Sequence, residues 1–222
     1  MSDPLLDIII HGLDHTVHKW VHYLPLYHKH FEKYRKLASP TNKIIIVEIG
    51  VQNGGSLDLW NEYFGKDNCD IYGVDIDPRC SALERDNIKI FIGDQADKNF
   101  LNYLKHTIPP PDIFIDDGGH TMTQQISTFD IMFDHVKPGG IFLCEDTHTS
   151  YWPEYGGGYK LASSFMEYSK NLVDNINGYH HGRVDNITLH CSGIHFYDSM
   201  VFFDKSDGSI DKPQAVVWPS SR

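Results

Sequence analysis

From Lys43 onward, short β-branched apolar runs alternate with amphipathic segments of helical length. The runs are Ile44–Val47, Ile71–Val74, Ile88–Ile92, Ile113–Ile115 and Ile141–Cys144. Uninterrupted apolar runs read as strands buried on both faces, the signature of a parallel sheet. Between them, helices are predicted from Gly54-Gly55-Ser56 through Phe64, around Phe100–His106, over Thr123–His135 and over residues 161–176. This alternation predicts an α/β chain with a doubly wound, mainly parallel sheet and helices on both faces. Near the end, Gly193–Tyr197 and Met200–Phe203 flank Asp198-Ser199 and predict an antiparallel hairpin. Residues 1–40 carry Trp20, Tyr23, Leu24, Tyr27, Phe31 and Tyr34 at helical spacing, so a helical cap or lid is expected, with Pro25 breaking or kinking it. The expected organisation is one domain over 1–222, a cap over 1–40 and a core over 41–222.

Composition narrows the function classes. With 222 residues the chain is long enough for one sizeable core. The net charge of −11 argues against a broad nucleic-acid or anionic-membrane surface. It leaves room for a small anionic ligand held by backbone amides. No apolar stretch approaches the ~18 residues of a membrane span. Met1–Asp7 lacks the basic start of a signal peptide. The four cysteines form no CxxC pair, so a reducing, cytoplasmic setting is expected.

The chemistry concentrates where the apolar runs end. Glu48-x-Gly50-x-x-x-Gly54-Gly55-Ser56 follows the first run and opens a helix. Glycines there let a ligand approach the backbone, and a helix N-terminus favours negative charge. The spacing is not GxGxxG. Asp75 ends the second run, where a carboxylate can accept two ribose hydroxyls, and Asp94 with Gln95 ends the third, where they can meet an adenine edge. Each acid alone reads equally as a helix cap. Together they favour a bound nucleoside.

The fourth and fifth runs end in Asp116-Asp117-Gly118-Gly119-His120 and Glu145-Asp146. Neighbouring parallel strands would gather these carboxylates and one imidazole at a single sheet edge, where ligands bind. Clustered hard oxygens suit a divalent cation that keeps positions open for substrate oxygens. An adjacent histidine can accept a proton near neutral pH. A tight turn and a helix cap are the plain alternatives. His18, His22, His28 and His30 read as polar helix faces, since no acidic or cysteine partner accompanies them in the sequence.

The order of these motifs from Ile44 to Phe203 resembles the class I S-adenosylmethionine (SAM) methyltransferases. More narrowly, Ile-Asp-Asp-Gly-Gly-His, Pro-Gly-Gly, Glu-Asp, the segment Thr147–Gly158 and the tail Ile194–Ser199 resemble the metal-dependent sugar O-methyltransferases of macrolide and rhamnoside tailoring. The resemblance implies a Rossmann-like, seven-stranded sheet whose last two strands are antiparallel. It implies that SAM contacts Glu48, Gly50, Gly54, Ser56, Asp75, Asp94 and Gln95. Asp117, Glu145 and Asp146 would ligate Mg²⁺ (or Mn²⁺), and His120 would be the general base. Asp116 either touches the cofactor or caps a turn. Tyr27 either reaches the cofactor carboxylate or packs in the core. His148 is a substrate contact or a polar loop residue, and Tyr151, Trp152 and Tyr155 form a mobile aromatic lid over a sugar or glycan acceptor, or an ordinary surface loop.

The implied reaction is methyl transfer to a sugar hydroxyl, on rhamnose or another 6-deoxyhexose, by a homodimer or higher homo-oligomer. Family members often have longer N-terminal regions than the 40 or so residues before the first strand here, so a more open site taking a sugar at the end of a larger glycan is expected. A catechol-type O-methyltransferase, a relative of the cephalosporin hydroxylase group and a non-catalytic SAM-fold binding protein remain alternatives.

Overall fold

The computed structural model describes residues 3–216; the ends of the expected cap (1–2) and core (217–222) lie outside the described residues. One seven-stranded sheet organises the chain, in the order β3-β2-β1-β4-β5-β7-β6. The strands are β1 (Ile44–Ile49), β2 (Cys69–Asp75), β3 (Ile88–Ile92), β4 (Ile113–Asp116), β5 (Ile141–Cys144), β6 (Cys191–Tyr197) and β7 (Met200–Lys205). The first five pair in parallel, and β7 joins antiparallel to both β5 and β6. The helices are α1 (Pro4–His11), α2 (Leu24–Leu37), α3 (Gly55–Phe64), α4 (Lys98–Thr107), α5 (Met122–Met132), α6 (Phe165–Ile176), α7 (Gly178–His181) and α8 (Asn186–His190). No described helix is long and apolar enough to cross a membrane.

The strands are apolar on successive residues because both faces are covered. Ile44, Ile46, Ile113, Ile115, Ile141 and Leu143 pack with Phe31, Leu57 and Trp60 of α2 and α3. Val47, Ile49, Phe114 and Phe142 point the other way, onto Leu101, Phe129 and Phe165 of α4, α5 and α6. Phe114 and Phe142 stack across β4 and β5 with centroids 4.9 Å apart. Glu48 shares the α3 side with Ile44 and Ile46 by strand alternation, and is fully buried.

The N-terminal region departs from the expected cap. Pro25 does not break a helix; it stands in the first turn of α2. A first-turn N–H has no helical partner, so proline costs nothing there. Before α2, residues 12–20 form a strap without regular structure, ending in a 3-10 turn at Val21–Tyr23. The strap crosses the first turn of α3. A Cβ on Gly55 would lie 2.3 Å from the Thr16 backbone, and Asp58 of α3 accepts the His15 N–H.

α2 also covers the C-terminal hairpin, where His30 stacks on Phe202 at 4.1 Å. Burial and the facing His195, aided by Lys29 and Lys33 and opposed by Asp204, lower the His30 pKa from 6.5 to about 4. The unfolded chain therefore binds a proton in this window that the native chain refuses. This contribution to stability is present above pH 6.5 and is lost as pH falls toward 4. Replacing His30 with Gln should flatten the acid-side fall in the urea midpoint over that range in metal-free buffer.

Candidate active site

The carboxyl ends of β1 to β5 open into one solvent-connected cavity of about 250 Å³. One end is lined by Gly50, Gln52, Asp75, Ile76, Asp94 and Gln95, the other by Asp117, His120, Gln124, Glu145 and Asp146. His18, Lys19, Trp20 and Tyr23 close it from the strap side.

Packing explains the glycines. Gly50 has φ +98°, and a Cβ there would lie 1.9 Å from the Asp117 carbonyl oxygen. The ends of β1 and β4 can meet only because that atom is absent. Gly118 and Gly119 admit two glutamines: a Cβ on either would collide with Gln95 or Gln124. Gln95, 4% exposed, accepts the Gly119 N–H at 2.8 Å and donates to Asp116 at 2.8 Å. Asp116 lies beneath the cavity floor, and burial pushes its carboxyl up to about 6.

His120 and Asp146 are both left-handed, with φ +58° and +49°. Such backbone in a non-glycine residue costs of order 1–3 kcal/mol and concentrates at functional sites. The Thr149 hydroxyl lies 2.9 Å from the carbonyl oxygens of both, tying the two strand-end loops together. His120 Nε2 stands 3.5 Å from Asp146 and 4.0 Å from Asp117. One donor atom from each of these three residues lies within 4.8 Å of the others, a spacing that can hold a metal ion.

Glu145 faces a different partner. Lys19 reaches in from the strap with its side chain 3% exposed. Its ammonium donates to Asp117 at 2.7 Å, Glu145 at 3.0 Å and Glu48 at 3.2 Å. All three N–H donors are thereby used. Burial alone would lower the lysine pKa, yet the charges of Asp117, Glu145, Tyr27 and Glu48 hold it well above its ordinary value. Glu48 also accepts from the Trp60 indole at 3.0 Å. Burial raises both Glu48 and Glu145, and Lys19 opposes it. Tyr23 donates to Asp146 at 2.6 Å.

Several expected contacts lie off the cavity. Gly54 caps α3 against Leu83, and Ser56 is buried in the first turn of α3, where its hydroxyl lowers the Glu48 pKa. Gly55, in the same loop, is approached by the chain's own strap. Tyr27 is wholly buried between Phe31 and Trp60, outside the cavity lining. Tyr151, Trp152 and Tyr155 sit on a hydrogen-bonded segment. Their segment is two 3-10 turns closed by backbone bonds from Trp152 to Thr149, Gly157 to Trp152 and Gly158 to Ser150. Trp20, His148, Trp152 and Tyr155 make a row of ring contacts at the mouth, with centroids 6.3, 4.6 and 5.9 Å apart.

Lys19 and Gln124 carried no sequence signal of their own; Tyr23 read only as part of the cap stripe, and Thr149 only as part of the Thr147–Gly158 segment. The one available hint for Lys19 was electrostatic: four carboxylates at one edge demand a cation. Removing it should be costly, because Glu48 and Glu145 would stay buried without a counter-charge. Lys19→Met is expected to lose about 3–5 kcal/mol, measured by denaturant unfolding in the presence of a chelator.

Residues 47–147 match the family described as a methyltransferase domain. The chain is 33% identical over 209 residues to demethylmacrocin O-methyltransferase of Streptomyces fradiae, covering 85% of this chain and 50% of that protein. It is 34% identical over 216 residues to 8-demethyl-8-alpha-L-rhamnosyl tetracenomycin-C 2'-O-methyltransferase of Streptomyces olivaceus, with 89% and 54% covered. The structure of MycE methyltransferase from the mycinamycin biosynthetic pathway, in complex with Mg and SAH, matches with a TM-score of 0.75 at 32% identity, covering 90% of this chain and 54% of that one. The chain thus spans about half the length of the curated relatives it matches. With the cavity at the strand ends and the 3-2-1-4-5-7-6 sheet, these likenesses establish that the chain has the class I methyltransferase fold and is similar to those sugar O-methyltransferases.

Proposed function

We propose that this chain transfers a methyl group from SAM to a sugar hydroxyl, on rhamnose or another 6-deoxyhexose in a glycoside or glycan, with a divalent cation at the acceptor end of the cavity. The observation that carries this reading is the cluster at that end of the cavity, where one donor atom each of Asp117, His120 and Asp146 lies within 4.8 Å of the others. MycE has also been solved with Mg, SAH and mycinamycin VI together, which supports the assignment.

The residues fit both groups. Asp75 takes one backbone N–H on each oxygen, from Gln52 and Asp77, and keeps lone pairs free toward the cavity for a ribose diol. Asp117 has one oxygen on Lys19, so its Oδ1 and Asp146 Oδ2, which both face His120, would be the donors for Mg²⁺ or Mn²⁺, with Glu145 at the adjoining strand end as the third. Bound there, the cation would supply Lewis acidity that lowers the pKa of a chelated hydroxyl, and SAM would supply the electrophilic methyl.

The protein does the rest. Asp117 and Asp146 fix where the acceptor oxygens sit. His120 Nε2 faces the gap between them and would take the proton of the acceptor hydroxyl; methyl transfer would break the sulfonium carbon–sulfur bond and leave S-adenosylhomocysteine. Lys19 is a positioning residue: it holds Asp117 and Glu145 in place and has no N–H left for the acceptor. The aromatic row from Trp20 to Tyr155 offers ring faces to the C–H face of a sugar at the mouth. The reading expects a reducing, intracellular setting.

A thermal-shift titration tests the cofactor half. S-adenosylhomocysteine at 100 times its Kd should add about 2.7 kcal/mol, a rise of roughly 5–10 °C. Asp75→Ala should abolish that rise; no rise in the parent chain overturns the reading. His120→Ala should keep the rise yet lose about 10²- to 10⁴-fold in kcat, with rhamnosides and catechols compared as acceptors.

A further inference from the structure

The fold brings His30 metal-binding partners from the other end of the chain. On β6, Gly193, His195 and Tyr197 share one face, and the register sets Asp204 opposite Gly193 and Phe202 opposite His195. α2 lies over this face and brings His30 down onto Phe202, with its ring 5.0 Å from that of His195. His195 Nε2 lies 2.7 Å from Asp204 Oδ2. One nitrogen from each imidazole and one Asp204 oxygen lie within 4.8 Å of one another.

Gly193 forms the floor of the cluster: a Cβ there would stand 3.4 Å from both His195 Nε2 and Asp204 Oδ2, in contact with two of the three ligands. Tyr197 fixes the ring from the side, 3.0 Å from His30 Nε2, and also accepts from Lys29 at 2.9 Å. The cluster belongs to α2 and the hairpin, with none of its residues in the cavity lining.

We propose that His30, His195 and Asp204 form a second metal site, of the zinc type, that clamps the N-terminal cap to the C-terminal hairpin. Two imidazoles and one carboxylate suit Zn²⁺ and disfavour Mg²⁺ or Ca²⁺, which want oxygen. Tetrahedral zinc with bonds of about 2.0–2.1 Å sets its ligands about 3.3 Å apart, so the His195–Asp204 contact opens slightly while the others close. The fourth position faces solvent, where the His195 side chain is 40% exposed and Asp204 28%, and a water completes it. The clamp fixes α2, whose preceding turn carries Tyr23 onto Asp146.

The test is calorimetric titration of the chelator-stripped chain with ZnCl₂, in an Asp146→Asn background that weakens the cluster in the cavity. One equivalent of Zn²⁺ should bind and raise the melting temperature. His30→Gln and His195→Gln should each weaken it by at least about 100-fold. Gly193→Ala keeps every ligand yet narrows the cradle; it should weaken Zn²⁺ while leaving the metal-free melting temperature unchanged. With Co²⁺ the chain should show the visible bands of a tetrahedral site, absent in His195→Gln. No binding in the Asp146→Asn background, or Zn²⁺ binding indifferent to His30→Gln and Gly193→Ala, overturns the proposal.

Discussion

A single buried ammonium sets the terms for the site. Glu48, Asp117 and Glu145 come from the ends of three different strands, and the sheet leaves them no choice but to converge. Like charges at that spacing, away from water, raise one another's pKa and would drive the strand ends apart. Lys19 cancels part of that repulsion with three charge-assisted bonds. The strap that carries it, the glycine that lets the strap cross α3, and the tyrosine that follows onto Asp146 all serve the same placement.

Around that charge the backbone is held with little slack. Gln95 links Asp116 to the Gly119 amide, Gln125 donates to the Glu145 carbonyl at 3.1 Å, and Thr149 spans the His120 and Asp146 carbonyls. These bonds maintain two left-handed, non-glycine residues side by side, so the reacting groups are positioned before any ligand arrives.

The sheet was legible in the sequence because its physics is local. Five apolar runs could only be strands buried on two sides, and the acids that end them fell at one edge because parallel strands share a direction. The hairpin announced itself at Asp198-Ser199. What stayed hidden depends on contacts between distant residues. Nothing in the neighbourhood of Lys19 marks it as buried, since its partners lie 29, 98 and 126 residues away. The glycines after β1 are ambiguous for the same reason: glycine signals close approach, but the sequence does not say of what. Gly55 meets the strap, while Gly50 meets a neighbouring carbonyl and also lines the cavity. Pro25 was misread because helix start and helix break look alike when the boundary is unknown.

The reach of Lys19 also bears on how the chain comes together. An ammonium that bridges β1, β4 and β5 cannot complete its bonds until β5 has paired, because one of its three carboxylates is missing before then. Contacts of such long sequence separation carry the largest loop-closure entropy and form late. The strap, although synthesised before β5, is thus among the last segments to order, and a chain stalled before β5 would present an acidic, uncapped sheet edge to its surroundings.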